Sequence, residues 1–258
     1  EVEQKGIEKK LFSLYAKEIP IFDKLLYAAV GKSIRKISRI IEGGIFAKPH
    51  GTELKDQSGA TLLHYVAQSG EMLVVEWLVK HGALVNALTD DMATPIYMAA
   101  QHGKEEALEY LLANKGDASL AKNTGTTPLH IACHHAELDC VNILLKHGAT
   151  PNAVTLTGIT PLHAACAVGE IGCVRALLDW GAEINAHKHS NGDTPMHVAA
   201  AANHGEIVEE LTSRSADDTA LNHQGRTPFM TACAMGCDEV VDWLIDSADP
   251  HAVDSDGI

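Results

Sequence analysis

Aromatic side chains make up only 5% of the 258 residues, so any core must be assembled mainly from Ala, Val, Leu and Ile. No apolar run approaches the ~18 residues needed to span a bilayer, which argues against direct membrane insertion in this segment. The opening residues, Glu1-Val2-Glu3-Gln4-Lys5, lack the basic start and apolar stretch of a signal peptide. None of the six cysteines is arranged as CxxC, which excludes a zinc ribbon and argues against a disulfide framework. Free thiols persist in reducing surroundings, so an intracellular location, cytoplasmic or nuclear, is expected.

Positive charge is equally short. Residues 1–50 hold ten Lys/Arg against six Asp/Glu, a net of +4. The remainder holds ten against twenty-eight, a net of −18, and such a body repels a phosphate backbone. Nucleic acid is therefore excluded as the expected partner. Also missing are GxSxG, HExxH, a P-loop, a kinase catalytic loop and GxGxxG. The chain offers no catalytic residue and no cofactor site, so it is not expected to be an enzyme.

What is present is a repeat. Six segments align on a threonine: TLLHYVA from Thr61, TPIYMAA from Thr94, TPLHIAC from Thr127, TPLHAAC from Thr160, TPMHVAA from Thr194 and TPFMTAC from Thr227. The intervals are 33, 33, 33, 34 and 33 residues, the long one falling in the loop over 187–193. Thr followed by Pro starts a helix, because the hydroxyl caps free N–H groups and Pro suits the first helical position. A stop follows at Gly70, Gly103, Gly169 and Gly236, with Ala136 and Asn203 as departures. A second apolar-periodic run then ends at Gly82, Gly148 and Gly181, before a polar turn such as DQSG or KNTG. Neither short helix can bury its stripe alone, so the units must stack.

This plan and the TPLHxA wording resemble the ankyrin repeat family over roughly residues 56–258. The resemblance implies an all-α ankyrin-repeat solenoid of helix-turn-helix units with protruding β-turn loops. The expected organisation is a capping helix over 1–19, then a degenerate capping unit over 20–55. Six repeats follow at 56–88, 89–121, 122–154, 155–188, 189–221 and 222–253, and 254–258 opens a further unit. The chain is expected to be a fragment of a longer protein, monomeric as such. Its last units lack the closing Gly, so exchange should be fastest from about residue 213.

Histidines and cysteines invite a metal reading. His64, His130, His163 and His197 each stand three residues after the repeat Thr, one per unit and on the order of 10 Å apart, too far to share an ion. The resemblance implies instead that they hydrogen-bond neighbouring turns. Cys133 shares its slot with Ala67, Ala100, Cys166, Ala200 and Cys233, a small-residue packing position, and only Cys237 is expected to be exposed. No metal site is expected. Asn86, Asn152 and Asn185 lie in turns similar to those that asparagine hydroxylation modifies in the family, alongside the simpler reading as turn formers.

Function then rests on binding. The resemblance implies a non-catalytic interaction module that takes a protein or peptide on a concave face of turn tips and first helices. Register assigns Asp90, Asp91 and Arg226 to tips, and Gln101, His134, His135 and Met235 to first-helix ends. The fourth unit stands out, with Leu156, Ile159 and Val168 where neighbours are polar, and Trp180 in place of His81 and His147. Exposed apolar groups ringed by polar ones mark an interface centre, alongside the plainer reading that Leu156 and Ile159 pack on adjacent turns. Asp90 and Asp91 are expected to meet a Lys or Arg of the ligand, and Met92, standing where other units have Gly, to distort its turn. An alternative is the regulatory ankyrin domain of an enzyme or ion channel encoded beyond residue 258.

Overall fold

A computed structural model describes residues 54–246, 252–255 and 257. The expected capping helix over 1–19, nearly all of the degenerate unit after it and residues 247–250 lie outside the described residues. Among the described residues there are twelve α-helices and one isolated antiparallel bridge, Lys55 to Thr61. The fold is the all-α solenoid implied by the repeat.

The helices come in pairs. They are α1 (Leu62–Ser69) and α2 (Met72–Lys80), α3 (Pro95–Gln101) and α4 (Glu105–Ala113), and α5 (Pro128–His134) and α6 (Leu138–Lys146). Then follow α7 (Pro161–Val168) and α8 (Ile171–Asp179), α9 (Pro195–Ala201) and α10 (Gly205–Ser213), and α11 (Pro228–Met235) and α12 (Asp238–Leu244). Odd-numbered helices pack on one another in sequence, and so do even-numbered ones, giving two layers. The core between them is aliphatic. Leu63, Ile96, Leu129 and Leu162 are at most 1% exposed, as are the small Ala67, Ala100, Cys133 and Cys166 that let the layers close.

Local chemistry sets each start. Thr94, Thr127, Thr160, Thr194 and Thr227 sit in extended backbone, and each hydroxyl accepts the N–H three residues on, with Pro in the first turn. Where the fourth residue of this set is histidine, it also ties the units together. The Nδ1 of His64, His130, His163 and His197 faces the hydroxyl of its own Thr at 2.8–2.9 Å. Its Nε2 reaches the carbonyl of Ala93, Ile159, Asp193 or Arg226 in the next unit at 2.8–3.1 Å.

Two further ladders run along the stack. Tip joins tip through backbone bonds: Asp90 N to Ser58 O, Asn123 N to Asp91 O, Leu156 N to Thr124 O, His189 N to Thr157 O, His223 N to Asn191 O and Ser255 N to Gln224 O. Below them, Asn86 and Asn152 use both ends of the amide on the next turn. Asn152 donates to Gly181 O at 3.1 Å and accepts from Glu183 N at 2.7 Å, and Asn86 does the same with Lys115 O and Asp117 N. Asn185 accepts from Asp217 N at 3.0 Å. The turn-forming reading therefore accounts for the three asparagines.

Two expectations are corrected. The Met92 turn is ordinary in shape: Met92 has φ +67, beside +78 and +80 for Gly59 and Gly125 in the same slot, and its N–H bonds Thr89 O at 2.9 Å. The oddity lies in the residue, not in the turn. Cys237 is buried at 6% exposure, its thiol turned back onto Ala201 O, whereas Cys233 is exposed. Cys233 faces the side of the last pair on which no further described helix stacks, so the slot that is buried in the other five pairs is open here.

Candidate functional site

The odd-numbered helices present a surface with an unusual property: none of the six contains Asp, Glu, Lys or Arg. The fourth, seventh and eighth residues after each capping Thr share one side of these helices, since i, i+3 and i+4 neighbours are stacked. The seventh and eighth positions divide the stack in two. In the first three pairs they are Gln68/Ser69, Gln101/His102 and His134/His135; in the last three, Ala167/Val168, Ala201/Ala202 and Ala234/Met235. Val168 and Met235 are 38% and 63% exposed. The result is a neutral face, hydrogen-bonding at one end and apolar at the other.

Sequence reasoning misses the fourth-position residues of this face. They are Tyr65, Met98, Ile131, Ala164, Val198 and Thr231. The signal is there, one helical turn back from Gln68 and its equivalents. Tyr65 and Met98 line a concavity of about 450 Å³ with Ser58, Ala60, Gln68, Thr89, Asp90 and Asp91. Tips and first helices thus share one surface.

The sequence-assigned residues separate into groups. Leu156 is 76% exposed on its tip, while Ile159 is only half-buried and its carbonyl is taken by His130. His134 and His135 are exposed, their rings edge-on with centroids 5.4 Å apart, and Gln101 is half-buried. Asp90 is exposed. Asp91 is already occupied: Lys122 Nζ lies 2.5 Å from one oxygen and Thr89 donates to the other. These two bonds hold its carboxyl below the usual range against the opposing effect of burial. Arg226 donates to Asp254 of the following turn at 2.8 Å. Neither Asp91 nor Arg226 is free for a ligand in the way expected.

Trp180 belongs elsewhere. It caps α8, in the even-numbered layer, and is 53% exposed beside Asp179, which pairs with Arg214 at 2.6 Å. That layer carries the acidity. Glu105, Glu106, Glu109, Glu206, Glu209, Glu210, Asp238, Glu239 and Asp242 all lie on it, partly offset by Arg175 and Arg214, which share Glu210 at 2.7 Å each.

The buried ionisable groups sit in structural slots. Burial lowers His64, His130, His163 and His197, the third to about 4. Burial pushes the Cys140 and Cys173 thiols up to about 12 and Cys133 well above its usual value, far from any reactive thiolate. Among the described residues, no three His, Cys, Asp or Glu side chains are placed to hold a metal ion, and no helix is long and apolar enough to cross a membrane.

Comparison with known proteins bears on the whole stack. The family described as ankyrin repeats (3 copies) matches over residues 25–122, 114–188 and 181–254. A mouse protein, NF-kappa-B inhibitor delta, is 39% identical over 79 residues, which is 30% of this chain. The chain's match spans 23% of that protein's length.

Proposed function

We propose, from the premise that this chain belongs to the ankyrin repeat family, that it is a non-catalytic module holding a protein segment along its first-helix face. Ankyrin repeats are generally protein-interaction modules, and the mouse relative is by its name an inhibitor of NF-kappa-B. The observation that carries the reading is the uncharged first-helix layer on a chain of net charge −14. Charge is the least costly way to keep a surface soluble, and among the described residues it is confined to the other layer and the loops. A neutral face ending in Ala167, Val168, Ala201, Ala234 and Met235, with Leu156 standing over it, suits the apolar side of a peptide or domain. The Gln and His end supplies hydrogen bonds for the same ligand's polar part.

The ligand contacts in this reading are Leu156, Val168, Met235, His134, His135 and Gln101, with Tyr65 and Met98 added and Trp180 left to the other layer. The chain acts as a monomer inside the cell, where its six unpaired thiols are stable. Nucleic acid is not a ligand of such a surface.

The test is a random peptide library selected on the immobilised chain. Enriched peptides should lose binding about tenfold or more when Ala201 or Ala234 is replaced by Arg, because a buried unpaired charge costs more than about 1.4 kcal/mol. Glu209→Arg, on the other layer, should leave them bound. Peptides that respond to Glu209→Arg and ignore Ala201→Arg would overturn the reading.

A further inference from the structure

One residue closes each tip of the stack. Asp56, Thr89, Lys122, Thr155, Lys188 and Asn222 hold this place, each N–H bonded at 2.9–3.0 Å to the carbonyl just before the next helix-capping Thr. In four of the six the side chain serves the same turn. Asp56 Oδ1 accepts from Ser58 N and Ala60 N, and Asn222 Oδ1 accepts from Gln224 N and Arg226 N. The hydroxyls of Thr89 and Thr155 accept from Ala93 N and Ile159 N. Lysine has three donors and no acceptor, so Lys122 and Lys188 must look elsewhere.

Lys122 finds its partner on the preceding tip. Its Nζ lies 2.5 Å from the Asp91 carboxylate and 5.3 Å from the centroid of the Tyr97 ring. For Lys188, the residues in the places of Asp91 and Tyr97 are Thr157 and His163. The Thr157 hydroxyl is 3.0 Å from that of Thr155, and the His163 ring is bonded at both nitrogens. Asp193, whose charge acts on Lys188, is held at one oxygen by Asn191 at 2.5 Å and at the other by Asn222 at 2.8 Å. Among the described residues, the Lys188 ammonium makes no hydrogen bond or ion pair. It is nevertheless half-buried, and burial holds its pKa below the usual lysine value. Hydration has been given up with no partner in exchange.

The same place lines the binding surface. At the first junction its occupant, Thr89, stands on the wall of the concavity with Tyr65, Gln68 and Met98. Lys188 occupies the fourth junction, where His189 N ties its tip to Thr157 O at 3.0 Å, and its charge acts on His163 and Cys166 of α7. In the places of Tyr65, Gln68 and Met98 this junction has Ala164, Ala167 and Val198. The ammonium therefore belongs to the apolar half of the face, in the unit that exposes Leu156 and Val168 and the one after it.

We infer that Lys188 takes one acidic side chain, Asp or Glu, of the bound protein, in the role that Asp91 plays for Lys122. The inference rests on the protein-binding reading above and adds a polar anchor to it. The apolar face continues past Lys188 over α9 and α11, so the carboxylate lies within the ligand's length, flanked by apolar residues, and not at its end. The surplus negative charge of the chain repels further acids, so a single one is selected.

The experiment selects a random peptide library in parallel on the immobilised whole chain and on its Lys188→Gln variant. Peptides enriched on the wild type should share an Asp or Glu with apolar neighbours, and those enriched on the variant should not. One such peptide, synthesised with a dye, is then titrated by fluorescence anisotropy. Replacing its acid by the amide should weaken binding to the wild type about tenfold, as expected for loss of a charged hydrogen bond, and leave binding to Lys188→Gln unchanged. Lys188→Arg should keep the preference for the acid. Lys146→Gln, which removes the same charge from the other layer, should change nothing, and amidating the peptide's C-terminus should cost nothing. Lys188→Gln should unfold in urea no earlier than the wild type, so that weakened binding is not lost structure. No shared acid, an equal cost of the amide on both chains, or dependence on the terminal carboxylate instead would each overturn the inference. If peptides respond to Ala201→Arg but not to Lys188→Gln, only the anchor is lost. If they respond to Lys188→Gln through their acid and ignore Ala201→Arg, the anchor stands and the wider binding face falls. If no peptide is enriched, both fall together.

Discussion

His163 and Asp193 are joined across two units: the imidazole Nε2 lies 3.1 Å from the Asp193 carbonyl oxygen. A carbonyl can only accept, so Nε2 carries the proton and Nδ1 is bare. Nδ1 in turn faces two donors, the Thr160 hydroxyl at 2.8 Å and the Thr160 N–H at 3.2 Å. A second proton on the ring would point at both. The neutral ring is therefore part of the joint, and three other histidines repeat it.

This fixes a pH dependence. The folded pKa of His163 is lowered to about 4 from 6.5, chiefly by burial, so the unfolded chain binds the proton more readily. The stability that comes from keeping the ring neutral is full above pH 6.5 and is lost as pH falls towards 4. His64, His130 and His197 are lowered for the same reason. Urea unfolding between pH 7.5 and 4.5 should show a steady fall totalling several kcal/mol, since a tenfold difference in proton affinity between the folded and unfolded ring is worth about 1.4 kcal/mol. A flat profile over that range would contradict the assignment of neutral, buried rings.

Met92 offers a gain. A side chain at φ +67 costs roughly 1 kcal/mol that glycine avoids. Met92→Gly should raise the urea midpoint accordingly. The reverse change at the equivalent place, Gly59→Ala, should destabilise by more, because its Cβ would lie 2.9 Å from the Asp90 backbone nitrogen. A loss of stability in Met92→Gly would show that the side chain contributes packing that its 44% exposure conceals.

Asn152 clamps one turn onto the next with donor and acceptor together. Asn152→Ala should cost about 1–3 kcal/mol, the value of two hydrogen bonds at a partly exposed site. Asn152→Asp keeps the acceptor and loses the donor, so denaturant melts should place it between the two. If both variants match the wild type, the clamp is not energetic.

Thiol chemistry separates Cys233 from the rest. It is the exposed cysteine, while Cys133, Cys140, Cys166, Cys173 and Cys237 are buried. Burial still raises its pKa somewhat, so a thiol reagent should be used above neutral pH. One thiol per chain should react in the folded state, and peptide mapping should find it at Cys233. Labelling of Cys237 instead would contradict the packing of α12 on the preceding pair.

Much of the fold is legible in the sequence, and the failures have a common cause. Thr-Pro starts, glycine stops and the His slot are local chemistry repeated in register, so helices and joints can be read directly. Cys133 and Cys166 read as core because their slots elsewhere hold alanine. The same reasoning fails for Cys237, whose slot-mates Glu71, Lys104, Glu137 and Glu170 are charged: a short thiol can turn inward where a longer charged chain must turn out. Trp180 suggests a contact by its chemistry, but its position at the end of a second helix puts it on the other layer. Asp91 and Arg226 look available because their partners, Lys122 and Asp254, lie about one repeat away in sequence, where register suggests no pairing.

The central claim is that the ligand lies on the uncharged layer. Hydroxyl-radical footprinting of the chain, with and without a selected peptide, tests it most directly, because reactive side chains stand on both layers. Met98, Leu156 and Met235 should be shielded by the peptide, while Trp180 and Trp243, 53% and 49% exposed on the other layer, should be oxidised as before. Shielding of the two tryptophans with the methionines left open would contradict the account.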